Sequence, residues 1–118
     1  MKMKIRTLPK IIAFTFFVGG VWGWSATAGD VTALWNVNCA ACHGKDGKGQ
    51  TMMGHKLGIK DLTDAKVQAA LTDDQATKDI KDGVTENGQT KMKAFSAKLS
   101  DDDIKALVTK VRSFKPAQ

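Results

Sequence analysis

The sequence predicts an all-α domain of four to five short helices, on three observations. Apolar residues recur at helical spacing in several short stretches, most clearly Ile104, Leu107, Val108, Val111 and Phe114. Residues that cap helices stand before these stretches, at Asp30, Thr63-Asp64, Thr72 and Ser100, while Gly83 and Pro116 close two of them. No alternating or β-branched run of the kind a strand needs surrounds Cys39 and Cys42, the only cysteines in the chain.

The first residues stand apart from this pattern. Lys2, Lys4, Arg6 and Lys10 precede a weakly polar to apolar run of 14 residues, Ile11 to Trp24, and then Ala26-Thr27-Ala28. A charged start, a short apolar run and an A-x-A site read as a secretory signal peptide, residues 1–28, leaving a single domain over residues 29–118. The run is shorter than the ~18 residues of a membrane span, so membrane contact is expected only if the segment is retained as an anchor. The 118-residue chain carries a net charge of +6, but four of its positive side chains lie in this segment and all 12 acidic residues lie beyond it, leaving +2 after cleavage. Nucleic-acid binding is therefore not expected. The remaining domain keeps only Trp35, Phe95 and Phe114 as aromatics, and so small a core needs a further staple.

The elements follow in order. Val31, Leu34, Trp35 and Asn38 form a first short helix capped by Asp30, running into Cys39. Gly44 to Thr51 is a glycine-rich turn region that matches neither the phosphate-loop nor the calcium-loop pattern. Residues 52–62 read as irregular. Thr63-Asp64 opens a short helix with Val67, Ala70 and Leu71 on one face. Thr72 and Gln75 form a capping box for the next, which runs through Ile80 to Gly83. Val84 to Lys91 reads as a polar loop turning at Asn87-Gly88. Ser100 and three aspartates start the last helix, where the macrodipole favours carboxylates.

Cys39-Ala40-Ala41-Cys42-His43 is the attachment pattern for c-type haem. On one turn of helix both sulfurs face the same way and can each add to a vinyl group, while the adjacent His43 reaches the iron. A thioredoxin-like site would need a βαβ setting, and a structural zinc site would need four ligands in workable geometry. One covalent haem c supplies the staple the small core lacks. Leu57, Ile59 and Leu62 are expected to line its proximal face, with a backbone carbonyl near Gly58 accepting from the far nitrogen of His43.

The second axial position can be filled by Met92, Met52, Met53 or His55. Met92 is preferred, because it lies 49 residues beyond His43 in a segment between two helices, whereas the others follow His43 too closely to reach the opposite face with ease. A thioether stabilises ferrous iron relative to a second histidine, and two protein ligands leave no place for substrate. The expected role is electron transfer and not catalysis.

These residues resemble the small monohaem class I c-type cytochromes of bacteria. The likeness is carried by Leu34-Trp35 and Asn38 to Gly44, by Gly47-Lys48-Gly49, Asp61 to Asp64 and Ile80 to Gly83, and by Lys91 to Phe95 and Leu99 to Phe114. It implies the cytochrome c class I fold, with short helices wrapped round one haem and the terminal helices crossing. It also implies Cys39 and Cys42 as attachment residues, His43 and Met92 as axial ligands, and a carrier role in respiration. Three departures stand out: Lys93 follows the methionine where the family often has proline, Lys110 stands near the usual tyrosine, and no proline carbonyl is available to His43. Trp35 is accordingly expected to lean on Leu107 and the lysine stem.

The function expected is that of a periplasmic electron carrier acting as a monomer between redox partner proteins. Residues 44–60 carry net +3 and residues 61–85 net −3; the first segment, with Lys91 and Lys93, is expected to border the haem and attract partners with acidic faces. The alternatives are a haem enzyme or gas sensor with a displaceable sixth ligand, a cytochrome subunit of a larger oxidoreductase complex, and a haem-free metal or interaction module.

Overall fold

The computed structural model describes residues 28–116, so the expected signal segment lies, apart from Ala28, outside the described residues. Six helices and one two-stranded sheet follow in order: α1 (Ala28–Asn38), α2 (Ala40–His43), α3 (Met52–Leu57), α4 (Ala65–Ala70), α5 (Asp73–Asp82), β1 (Val84–Glu86), β2 (Gln89–Met92) and α6 (Asp101–Ser113).

Local chemistry accounts for most of these boundaries. The Asp64 side chain accepts from the backbone of Lys66 and Val67 at the start of α4. Ser100 and Asp103 form a full capping box on α6. At α5 only half of the expected box forms: Thr72 accepts from the Gln75 backbone, but the Gln75 side chain donates to Asp79 Oδ1 at 2.6 Å. Asp30 lies within the first turn of α1 and does not cap it.

Two expected loops are regular. Residues 52–57 form α3 because Thr51 accepts from Gly54 N at one end and Gly58 adopts the left-handed conformation at the other. Residues 84–92 form an antiparallel hairpin with Val84 opposite Met92, Thr85 opposite Thr90 and Glu86 opposite Gln89. Its turn places Asn87 at φ 51° and Gly88 at φ 74°, the pair of positive values that matches strand twist in a two-residue hairpin.

The core joins Trp35 of α1, Ala76 and Ile80 of α5, and Ile104, Leu107, Val108 and Val111 of α6, with Leu62, Phe95 and Leu99 from the connections. The terminal helices α1 and α6 pack against each other, and α5 against α6. Trp35, only 2% exposed, meets the ring of Phe114 at 5.0 Å between centroids, and Lys110 Nζ lies 4.9 Å from the centre of that ring. Thus Phe114 is the ring that faces Trp35, with the lysine on Phe114. Phe114 lies one turn beyond Lys110 and offers an aromatic face, which gains more from the indole than an aliphatic stem does.

Candidate haem site

Cys39 caps α2, an almost immediate continuation of α1, and the backbone of His43 donates to the Cys39 carbonyl at 2.9 Å. One helical turn therefore carries the two thiols and the imidazole. The turn is braced from both sides. Trp35 Nε1 donates to the Gly44 carbonyl at 2.9 Å, and its ring lies 5.7 Å from that of His43. Thr51 Oγ1 donates to the Cys42 carbonyl at 2.8 Å and accepts from Gly54 N at 2.8 Å. Gly54 is required here by space alone, because a Cβ on it would come within 2.7 Å of the Cys42 carbonyl and 2.0 Å of the Gly49 carbonyl.

Above this turn opens a cavity of about 550 Å³, inside the size range of cofactor sites. Its wall includes Cys39, His43 and Met92, with Leu57, Ile59, Leu62, Val67, Leu71, Ile80, Val84, Leu107 and Val111 supplying apolar surface. The structure thus gathers three of the four expected site residues around one space; Cys42 is half-buried beside it, immediately before His43. The rivals for the sixth position are elsewhere. Met52 is 87% exposed and Met53 41%, His55 is also exposed, and none of them lines the cavity.

Met92 reaches the cavity from the end of β2, and the backbone around it is held by α5. Phe95 N donates to the Ile80 carbonyl at 2.9 Å and Ser96 N to the Lys81 carbonyl at 3.2 Å. Gly83, at φ 77° and ψ 178°, lets the chain leave α5 so close to the returning strand that a Cβ on it would fall 2.5 Å from the Met92 carbonyl.

The donor set fits a covalently attached iron macrocycle. Cys39 and Cys42 are not paired in a disulfide; burial, with Cys42 beside it, pushes the Cys39 thiol up to about 11. Burial also lowers the pKa of His43, which favours the neutral imidazole that a metal requires. Nδ1 of His43 is buried with no hydrogen-bond partner. The carbonyl expected near Gly58 therefore does not serve it, although Gly58 itself lines the cavity.

Charge at the cavity differs from the expectation. Lys60, Lys66 and Lys91 stand in its wall together with Asp79 and Glu86, while Lys45, Lys48, Lys56 and Lys93 do not. Lys93 instead lies over the Phe95 ring, 5.4 Å from its centre.

Sequence reasoning also missed Gln68 and Arg112. Gln68 is the one buried polar side chain among the described residues that is 5% exposed or less. Its Nε2 donates to the carbonyls of Leu62 and Val111 at 2.7 and 2.9 Å. Arg112 donates from Nη1 to Gln68 Oε1 at 3.1 Å and to the Gln68 carbonyl at 2.8 Å, from Nη2 to the Leu71 carbonyl, and from Nε to Asp73 at 2.6 Å. No local signal in the sequence marks either residue, since the partners of the Gln68 and Arg112 side chains lie 39 or more positions away for all but the Leu62 carbonyl.

Comparison with known proteins agrees with this geometry. Residues 26–109 match the family model described as cytochrome c oxidase, cbb3-type, subunit III. The chain is similar to the solved structure of the KustC0563 c-type cytochrome, at 36% identity and a TM-score of 0.65 over 72% of this chain and 96% of that one. It is also similar to the structure of a tyrosine-to-phenylalanine mutant of Kustc0563, at 37% identity and a TM-score of 0.64 over 73% and 99%. No curated protein matches the chain. A CxxCH turn under an apolar cavity, in a chain that matches this family over most of its length, leads to one conclusion: the chain belongs to the cbb3-type subunit III family of cytochrome c domains, and is a small monohaem c-type cytochrome carrying one covalently bound haem c.

Proposed function

We propose that this haem c electron-transfer protein is exported to the periplasm by residues 1–28, works there as a monomer, and passes single electrons between respiratory redox partners. In this reading Cys39 and Cys42 hold the haem through thioethers, and His43 and Met92 are the axial ligands. The bound group supplies the one-electron couple of its iron. The chain's part is to attach that group, to keep its faces dry with Leu62, Leu71, Ile80 and Val111, and to close both axial positions to substrate. It is accordingly a carrier and not an enzyme.

The observation that carries the reading is the meeting of Cys39, His43 and Met92, from α1–α2 and from β2, on one apolar cavity that excludes Met52, Met53 and His55. The test is the ferric spectrum of the purified protein. A low-spin haem c with the weak methionine-to-iron charge-transfer band, lost in Met92→Ala, is the expected result; a high-spin spectrum or free carbon monoxide binding at neutral pH would replace the carrier by an enzyme or sensor.

Partner choice rests on the lysines. Lys60, Lys66 and Lys91 in the wall, with exposed Lys45, Lys48 and Lys56 nearby in sequence, steer partners with acidic faces, moderated by Asp79 and Glu86. Electron-transfer rates should fall as salt rises, and rates indifferent to salt would remove this part.

A second reading, as a cytochrome subunit of a larger oxidoreductase complex, is favoured by the description of the matched family. Among the described residues no helix is long and apolar enough to cross a membrane. Fractionation of native cells distinguishes the two, since a free carrier leaves with the periplasmic fraction and a complex subunit stays with the membranes.

A further inference from the structure

The apolar wall of the cavity is fastened by a polar pair, the buried Gln68 and the half-buried Arg112. Gln68 bridges the carbonyls of Leu62 and Val111, and Arg112 holds the carbonyl of Leu71 together with both oxygens of Gln68. The side chains of Leu62, Leu71 and Val111 all line the cavity, yet neither Gln68 nor Arg112 reaches it. Three wall residues from three stretches of chain are therefore spaced, through their main chains, by two side chains that stand outside the cavity wall.

We infer that Gln68 and Arg112 are positioning residues for the haem, fixing the wall formed by Leu62, Leu71 and Val111 so that water is kept out and the reduction potential is held up. Ferric haem carries one more positive charge than ferrous haem, so a drier site favours the reduced state and a wetter one the oxidised state. Apolar packing alone tolerates small slips between neighbouring surfaces, whereas a buried amide loses heavily unless its bonds are all made. The pair thus makes the distance between the carbonyls a specified quantity. Arg112 also serves carbonyls at the end of α4, where the helix cannot satisfy its own acceptors, and its contact with Asp73 ties the start of α5 to the same point. The corner between α4 and α5 cannot open without breaking these bonds.

The inference rests on the reading of the chain as a haem carrier, and the test separates the two. Gln68→Met keeps length and volume but removes both donors; Arg112→Lys keeps the charge but removes the fork. In the haem-loaded proteins each substitution should lower the reduction potential while covalent attachment and the axial-ligand spectrum stay as in the parent. Asp101→Asn, which breaks only the exposed ion pair with Lys81, should leave the potential where it was. A merely structural brace would lower thermal stability with no shift in potential in either variant, and that result overturns the inference. Should Gln68→Met fail to assemble, Arg112→Lys decides by the same readout. Absence of haem mass on the parent protein would refute the carrier reading before any potential is compared, whereas equal potentials in loaded variants refute only the role of this pair.

Discussion

Replacing Gly83 by alanine tests how Met92 is placed. Gly83 sits at φ 77° and ψ 178°, a region almost reserved for glycine, where a side chain costs about 1–3 kcal/mol. The added methyl would also lie 2.5 Å from the Met92 carbonyl, 2.8 Å from Ala94 N and 2.9 Å from the Lys93 carbonyl carbon. These are backbone atoms that cannot turn aside, and overpacking of this kind adds about 1–3 kcal/mol. Gly58→Ala is the control: its φ of 68° is also left-handed, but no atom of the chain lies within 4 Å of the new methyl, so the conformational cost of about 1–2 kcal/mol applies without overpacking against the backbone. In a domain of this size each kcal/mol moves the melting temperature by about 4–8 °C. Thermal melts of the haem-loaded proteins should therefore place Gly83→Ala at least about 4 °C below Gly58→Ala. The ferric methionine band should weaken in the first variant and stay in the second. Equal melting points, or an intact band in Gly83→Ala, would show that the strand does not depend on this close approach.

Four further outcomes are expected. Trp35→Phe removes the donor to the buried Gly44 carbonyl and should cost about 1–3 kcal/mol in denaturant titration; a change within error would mean that water replaces the indole. Thr51→Val removes both the cap on Gly54 and the bond to the Cys42 carbonyl, for a loss of about 1–3 kcal/mol, and a neutral result would dismiss it as a brace. Met52→Ala, Met53→Ala and His55→Ala should leave the ferric spectrum unchanged, since these residues lie outside the cavity wall; any spectral change would reopen the choice of axial ligand. The Asp103 carboxyl is held below its ordinary 3.8 by the Ser100 side chain and backbone. Its contribution is complete above about pH 4 and is lost as pH falls through the lowered value, so Asp103→Asn should be less stable at neutral pH and lose stability less steeply in acid. Identical acid profiles would argue against a role for this carboxylate.

What could be read beforehand depended on how far each feature is local. The single turn that carries Cys39, Cys42 and His43 was legible because its pattern is contiguous in the sequence. α4, α5 and α6 announce themselves through Asp64, Thr72 and Ser100. α3 has no apolar period, and its existence depends on Thr51 and Gly58 closing a six-residue segment at both ends. The hairpin was hidden by its polar strands, although Asn87-Gly88 marked its turn. Nothing local could disclose Gln68 and Arg112, whose partnership spans 44 positions, or the replacement of the expected lysine stem by Phe114 beside Trp35. Which lysines stand in the wall was not legible for a related reason: charge summed along residues 44–60 does not show which side chains the fold turns toward the cavity.

The backbone on both sides of Met92 is moored to the final turn of α5, before it through the hairpin that starts at Val84 and after it through the amides of Phe95 and Ser96. In place of the stiffening that a proline after the methionine would give, the protein uses a lever whose fulcrum is the end of a helix. With Met92 as the axial ligand proposed above, fraying of that turn and release of the thioether become one event, so hydrogen exchange at Phe95 and Ser96 and capture of an outside ligand by the cofactor should share a single opening rate.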